Sequence, residues 1–122
     1  MKGKSLLEYI KEHQPIPEND IRTIMSHLME TLKQIHANNI AHRNIQLTTL
    51  MFRNPNYDLT SICFTDFALS RTSDIAKLFQ TAVKCNDAFA SPQIITDKGY
   101  YTNRGYTVKT DIWSMGIVLF GL

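Results

Sequence analysis

Ala41-His42-Arg43-Asn44-Ile45-Gln46-Leu47-Thr48-Thr49-Leu50-Met51-Phe52 and, one turn later, Ser61-Ile62-Cys63-Phe64-Thr65-Asp66-Phe67-Ala68-Leu69-Ser70 decide how this chain is read. Each half joins a polar cluster to a short apolar run: His42-Arg43-Asn44 precedes the first run and Asp66-Phe67-Ala68 follows the second. Arg53-Asn54-Pro55-Asn56 lies between the runs. Asn bonds to its own backbone and Pro presets φ, so this linker favours a turn. Two apolar runs about such a turn predict a β-hairpin with chemistry at both chain ends.

Outward from that stretch, 122 residues with 43% hydrophobic and 20% charged side chains suit one globular unit with a modest core. The formal net charge is only +2 and the basic residues are scattered, so neither a nucleic-acid nor a membrane footprint is visible. Cys63 and Cys85 are too far apart for a CxxC motif, and no secretory signal precedes them, which makes a reducing, cytoplasmic setting the default expectation. Among the four histidines, His27 and His36 are not at i,i+4 spacing and no HExxH occurs, so histidine ligation of a metal is not expected.

Before the hairpin, Ser5-Leu6-Leu7-Glu8 has the form of a capping box and predicts a short helix through about Glu12. Pro15 and Pro17 break it and open a second helix with Glu18 and Asp20 in the first turn. Ile21, Ile24, Met25, Leu28, Leu32 and Ile35 recur at helical spacing as one packing stripe, and Asn38-Asn39 can end the helix in a left-handed turn. After the hairpin, residues 71–86 are polar and weakly patterned and read as a long loop, and a Gly- and Tyr-rich linker occupies 99–106. From Ile112 to Leu122 the residues are apolar apart from Ser114, which predicts a helix buried on all sides, too short to span a bilayer. The chain stops there without a helix stop signal, which reads as truncation and leaves an apolar helix at 112–122 open to self-association.

His42-Arg43-Asn44 and Asp66-Phe67-Ala68 resemble the catalytic loop and metal-binding loop of the eukaryotic protein kinases, whose patterns are H-R-D-L-x-x-x-N and D-F-G. Asp111-Ile112-Trp113-Ser114-Met115-Gly116 resembles the family's D-V-W-S-x-G helix start, and residues 85–93 look like a worn copy of its G-T-P-x-Y-x-A-P-E segment. The resemblance covers nearly the whole chain, with its anchors in the family's order. It implies a mainly α (α+β) fold: part of a serine/threonine-type kinase domain over 1–122, from the helix before the catalytic loop into the central helix, incomplete at both ends. The family's Gly-rich loop, strand lysine and αC glutamate have no counterpart here.

Carried over position by position, the resemblance places Asn44 where the family has its catalytic aspartate, and a neutral amide is not a useful base. Gln46 stands in place of a lysine that neutralises the transferring phosphoryl group. Thr49 replaces the asparagine that holds the second magnesium, while Asp66 keeps the carboxylate that suits Mg²⁺, so Asp66 and Thr49 are the implied metal and cofactor contacts. Ala68 replaces the glycine of the metal loop, and its Cβ disfavours positive φ. Arg43 either pairs with a phosphorylated loop residue, for which Thr72, Ser73 and Thr81 are candidates, or satisfies backbone carbonyls. Asn86 takes the place of a threonine that contacts the catalytic aspartate, and Gln93 that of a glutamate that pairs with a later arginine. Asp111 matches a buried aspartate that accepts catalytic-loop amides, with a helix N-cap as the alternative. His42 and Phe67 read as packing residues.

The resulting expectation is a degenerate kinase-like domain acting as a pseudokinase binding or regulatory module. Mg-ATP is implied by the family but not expected to bind this chain alone. A protein partner or substrate is implied, with no nucleic acid and no membrane. One alternative is a working serine/threonine kinase within a longer parent, and another is a truncated product without a role of its own.

Overall fold

The computed structural model describes residues 3–72, 88–92 and 108–122. Helix α1 (Leu6–His13) begins at the reciprocal capping box its sequence requires: the Glu8 N–H donates to the Ser5 hydroxyl at 3.3 Å, and the Ser5 N–H donates to the Glu8 carboxylate at 2.7 Å. The Ser5 N–H and the Ser5 hydroxyl, which also donates to Glu8 at 2.9 Å, hold the Glu8 carboxyl below its usual range. Helix α2 (Glu18–Ala37) follows the prolines, with Glu18 and Asp20 near the positive end of its dipole. Its stripe packs as the 3.6-residue period demands: Ile24, Leu28 and Leu32 are buried, and Ile21, Met25 and Ile35 flank them partly buried. Asn39 leaves the helix at φ 57°, the left-handed conformation that Asn tolerates better than most residues.

Four short strands follow: β1 (Ile40–Ala41), β2 (Leu50–Phe52), β3 (Ile62–Phe64) and β4 (Arg71–Thr72). Strands β2 and β3 form the expected antiparallel hairpin, with Leu50 opposite Phe64, Met51 opposite Cys63 and Phe52 opposite Ile62. Leu50, Phe52, Ile62 and Phe64 face the core while Met51 and Cys63 are half-buried, the period-2 alternation of a sheet with one packed face. The connection is longer than the Arg53–Asn56 turn. It continues through Tyr57 at φ 54° into a 3-10 turn, Leu59–Ser61, capped by the Asp58 carboxylate on the Thr60 N–H. Strands β1 and β4 pair separately, Ile40 with Thr72 and Ala41 with Arg71, a second small sheet beyond the single hairpin expected.

The N-terminal segment is strapped across β2. The Phe52 N–H donates to the Lys4 carbonyl at 2.9 Å and the Leu7 N–H to the Leu47 carbonyl at 3.1 Å. A Cβ on Gly3 would lie 1.7 Å from the Phe52 carbonyl oxygen, so this close approach requires glycine. Tyr9, His13, Phe52 and Tyr57 stack where the strap, α1 and the hairpin connection meet.

Helix α3 (Thr110–Gly121) is not surrounded as its apolar run alone predicts, and it is open on one face, in keeping with the expectation of an exposed apolar helix at 112–122: Thr110, Asp111, Ser114, Met115 and Val118 are buried, whereas Ile112, Trp113, Leu119 and Phe120 are exposed, Phe120 at 92%. Met115 and Val118 join the core formed by α1, α2 and the hairpin. Among the described residues no helix is long and apolar enough to cross a membrane. The expected loop beyond Thr72, the 99–106 linker, and Ser73, Thr81, Asn86 and Gln93 lie outside the described residues.

Trp113 is the only tryptophan and stands 49% exposed. Its emission should therefore be red-shifted and readily quenched by acrylamide. A blue-shifted, quencher-resistant signal would show that the outer face of α3 is covered in solution.

Candidate functional site

The loop between β1 and β2 is held from below by one buried carboxylate. Asp111, 1% exposed in the first turn of α3, accepts the His42 N–H at 2.8 Å on Oδ2 and the Arg43 N–H at 2.9 Å on Oδ1. His36, at the end of α2, brings Nε2 to 2.8 Å from the same Oδ2. A carboxylate can only accept, so that nitrogen carries a proton. Asp111 is thus the buried acceptor of loop amides; the alternative of an N-cap is excluded, because Lys109 occupies the cap position. His36 was considered in the sequence only as a metal ligand, and its contact with a residue 75 positions away leaves no local signal. Arg43 is buried at φ 65°, an uncommon conformation for a large side chain, and its amide bond to Asp111 helps hold it there.

His42 is a fully buried organiser of the loop. Its Nδ1 accepts the Asn44 N–H at 3.2 Å, which leaves Nε2 to donate to the Thr65 carbonyl at 2.9 Å, next to Asp66. One imidazole therefore joins the first polar cluster to the second in its neutral, Nε2–H form. Burial pushes its pKa below the ordinary value, against opposing pulls from Asp111, the Thr65 carbonyl and Asp66. Phe67 packs edge-on against it at a centroid distance of 4.5 Å, although Phe67 itself is 44% exposed.

Above this base the structure brings Asn44, Gln46, Thr49 and Asp66 into one hydrogen-bonded group. Asn44 Nδ2 donates to Asp66 Oδ2 at 2.9 Å, and Gln46 Nε2 donates to Asn44 Oδ1 at 3.2 Å. The Thr49 hydroxyl turns into the loop: it donates to the Asn44 carbonyl at 2.7 Å and accepts the Gln46 N–H at 3.1 Å. The Thr49 carbonyl in turn accepts both the N–H and the hydroxyl of Thr65, at 2.9 and 2.8 Å. Asp66 sits at φ 59° with an exposed side chain, and the following Phe67–Leu69 form a 3-10 turn. Ala68 lies inside that turn rather than at positive φ, so its Cβ meets no backbone strain. The group offers amide donors and one exposed carboxylate, Asp66, while Asn44 itself is a neutral amide and not a useful base. Among the described residues no cluster of three or more His, Cys, Asp or Glu side chains is placed to hold a metal.

Two measurements test this base. Asp111→Asn supplies one acceptor oxygen and an NH₂ in place of two acceptor oxygens, so an amide now facing that NH₂ loses its partner. The exchange should cost about 2–5 kcal/mol in chemical unfolding, and a loss within experimental error would remove the clamp from the account. For His42 the unfolded state binds the proton more readily than the folded one. Its contribution to stability is then complete above the ordinary imidazole value near 6.5 and shrinks as pH falls toward the lower folded value. The His42 ring resonances should accordingly titrate below those of an exposed histidine, and a midpoint at or above the ordinary value would contradict its buried neutral form.

The sequence pattern described as "Protein kinase domain" matches residues 1–122. Similar proteins include a probable serine/threonine-protein kinase 2 of Plasmodium falciparum, 28% identical over all of this chain and 22% of the relative. The meiosis-specific serine/threonine-protein kinase mek1 of Schizosaccharomyces pombe is 28% identical over 97% of this chain and 27% of its own length. The liver/testis phosphorylase b kinase gamma catalytic chain of Mus musculus is 27% identical over 100% and 29% respectively. The chain thus spans roughly a quarter of the length of these relatives. With a matching pattern along its full length and a loop, hairpin and buried aspartate in the family's order, the chain belongs to the protein kinase family.

Proposed function

We propose that this chain is a kinase-like binding or regulatory module that does not itself transfer phosphate. The observation that carries this reading is the Asn44 side chain at the base position, with its amide nitrogen turned to Asp66 and its oxygen taken by Gln46. Losing a general base costs typically about 10²–10⁴-fold in rate. Gln46 in place of a lysine removes a positive charge where negative charge develops, a second and independent loss. Mg-ATP use is general in the family; for this chain we expect Mg-ATP not to be held productively, since the Thr49 hydroxyl is spent inside the loop. Its partners are proteins, met in the cytoplasm, and the open face of α3 around Trp113 and Phe120 is the surface we assign to such contacts, self-association included.

One observation favours a second reading, a working serine/threonine kinase within a longer parent. Asp66 keeps an exposed carboxylate, and the Asp111 support beneath the loop is complete. Incubation with Mg-ATP and a mixed peptide library, read by phosphopeptide mass spectrometry, separates the two. We expect no transfer, and no rescue by Asn44→Asp alone. Turnover that disappears in Asp66→Ala would establish the kinase reading instead.

A further inference from the structure

The loop that carries Asn44, Gln46 and Thr49 has two anchors of different kinds. Its front half hangs on Asp111, which is 1% exposed and takes the His42 and Arg43 amides. Its back half is held at Leu47, whose carbonyl accepts the Leu7 N–H of α1 at 3.1 Å. Helix α1 is seated in turn by the strap that precedes it: the Lys4 carbonyl accepts the Phe52 N–H, and Ser5 bridges antiparallel to Met51. The outer fastening of strap and helix is a three-residue junction at the surface. Lys4 Nζ lies 2.6 Å from Glu12 Oε1, and the Tyr57 hydroxyl of the hairpin connection donates to Glu12 Oε2 at 2.7 Å. The Lys4 ammonium also stands 5.7 Å from the centre of the Tyr57 ring. The Lys4 bond and then the Tyr57 bond hold the Glu12 carboxyl below its ordinary value, and Glu12 holds Lys4 above its own, so both stay charged around neutrality. With side chains 47% and 43% exposed, this pair is open to dissolved ions in a way that Asp111 is not.

We propose that residues 3–13 form a local opening unit latched by Lys4, Glu12 and Tyr57, whose release frees the back half of the loop, Gln46 to Thr49, while the Asp111 anchor and the α2 core stay formed. Proteins open first where a segment is joined to the rest by few buried contacts and by bonds at the surface. When the strap and α1 lift, the Leu47 carbonyl loses its partner, and the turn closed by the Gln46 N–H on the Thr49 hydroxyl loses its support. Leu6, Tyr9 and Ile10 are buried on the inner face of α1, so opening is rare and the latch sets a population rather than an on or off state. A cation that competes for Glu12, whether a dissolved ion or a cationic side chain of a partner protein, thereby acts on the loop without entering the site. The proposal concerns how the loop is held, and it stands or falls apart from phosphotransfer.

The test is native-state hydrogen exchange on the full chain, followed by NMR at increasing sub-denaturing urea. The latched unit requires the Leu7, Phe52 and Gln46 amides to exchange as one group, at least about tenfold faster than the Leu28 and Arg43 amides after correction for intrinsic rates, and with a shallower dependence on urea. Without urea, Tyr57→Phe, which keeps the ring and removes the hydroxyl, should accelerate that group at least about twofold, and Glu12→Gln should do the same. About 1 M NaCl should reproduce the acceleration in the unsubstituted protein and add nothing in Glu12→Gln. Val118→Ala, which weakens a contact that persists when the unit opens, should accelerate Leu28 and Arg43 alone. Leu7, Phe52 and Gln46 amides that share the rate and urea slope of Leu28 and Arg43 would overturn the proposal, and this series needs no substituted protein to fold. A Gln46 amide that behaves unlike Leu7 and Phe52 would sever the strap from the loop, and a group unmoved by salt and by Tyr57→Phe would remove the latch; either outcome refutes the proposal.

Discussion

One buried carboxylate holds the functional region together. Asp111 lies 1% exposed on α3 and gathers the His42 and Arg43 amides and the His36 ring, groups that the chain places 69, 68 and 75 residues away. A charge in that position is stable only because every donor around it is aimed inward, and removing any one leaves desolvated polarity uncompensated. The loop accepts a price for this arrangement in the left-handed backbone of Arg43. The amides of His42 and Arg43 point to the core, and the Asn44 side chain is consequently left facing Asp66.

From this base the chemistry is set by which atoms carry protons. The neutral imidazole of His42 links Asn44 to Thr65, and Thr65 links back to Thr49 through two bonds to its carbonyl. The loop and the start of the Asp66 turn are therefore tied to each other. Asp66 meets the Asn44 amide, so the side-chain contact between the two polar clusters is a hydrogen bond between a carboxylate and a neutral donor.

Much of the framework was readable because it depends on local chemistry. The capping box at Ser5 and Glu8, the stripe from Ile21 to Ile35 and the turn at Asn39 each announce themselves within a few residues, and the hairpin follows from two apolar runs. What escaped was pairwise or too short to carry a period. Ile40–Ala41 and Arg71–Thr72 are strands only by virtue of each other. His36 acquires its role from Asp111, and Tyr57 at positive φ lengthens the hairpin connection in a way that Asn-Pro composition does not signal. The orientation of the Asn44 amide depends on Gln46 and Asp66 together, so residue identity alone could name the position but not the direction of its bonds.

The open face of helix α3, expected from its apolar run at 112–122, ties the surface to the site. Of its apolar side chains only Met115 and Val118 are drawn fully into the core, with Ser114 donating to the Phe89 carbonyl at 2.6 Å. Ile112, Trp113, Leu119 and Phe120 forgo much of the roughly 1.5–3 kcal/mol that full burial of each such side chain is worth. The helix that presents Asp111 to the loop is therefore held by one face alone. The Asp111 bonds to His42 and Arg43 require that helix in place, so the packing of Met115 and Val118 and the positioning of the loop depend on each other.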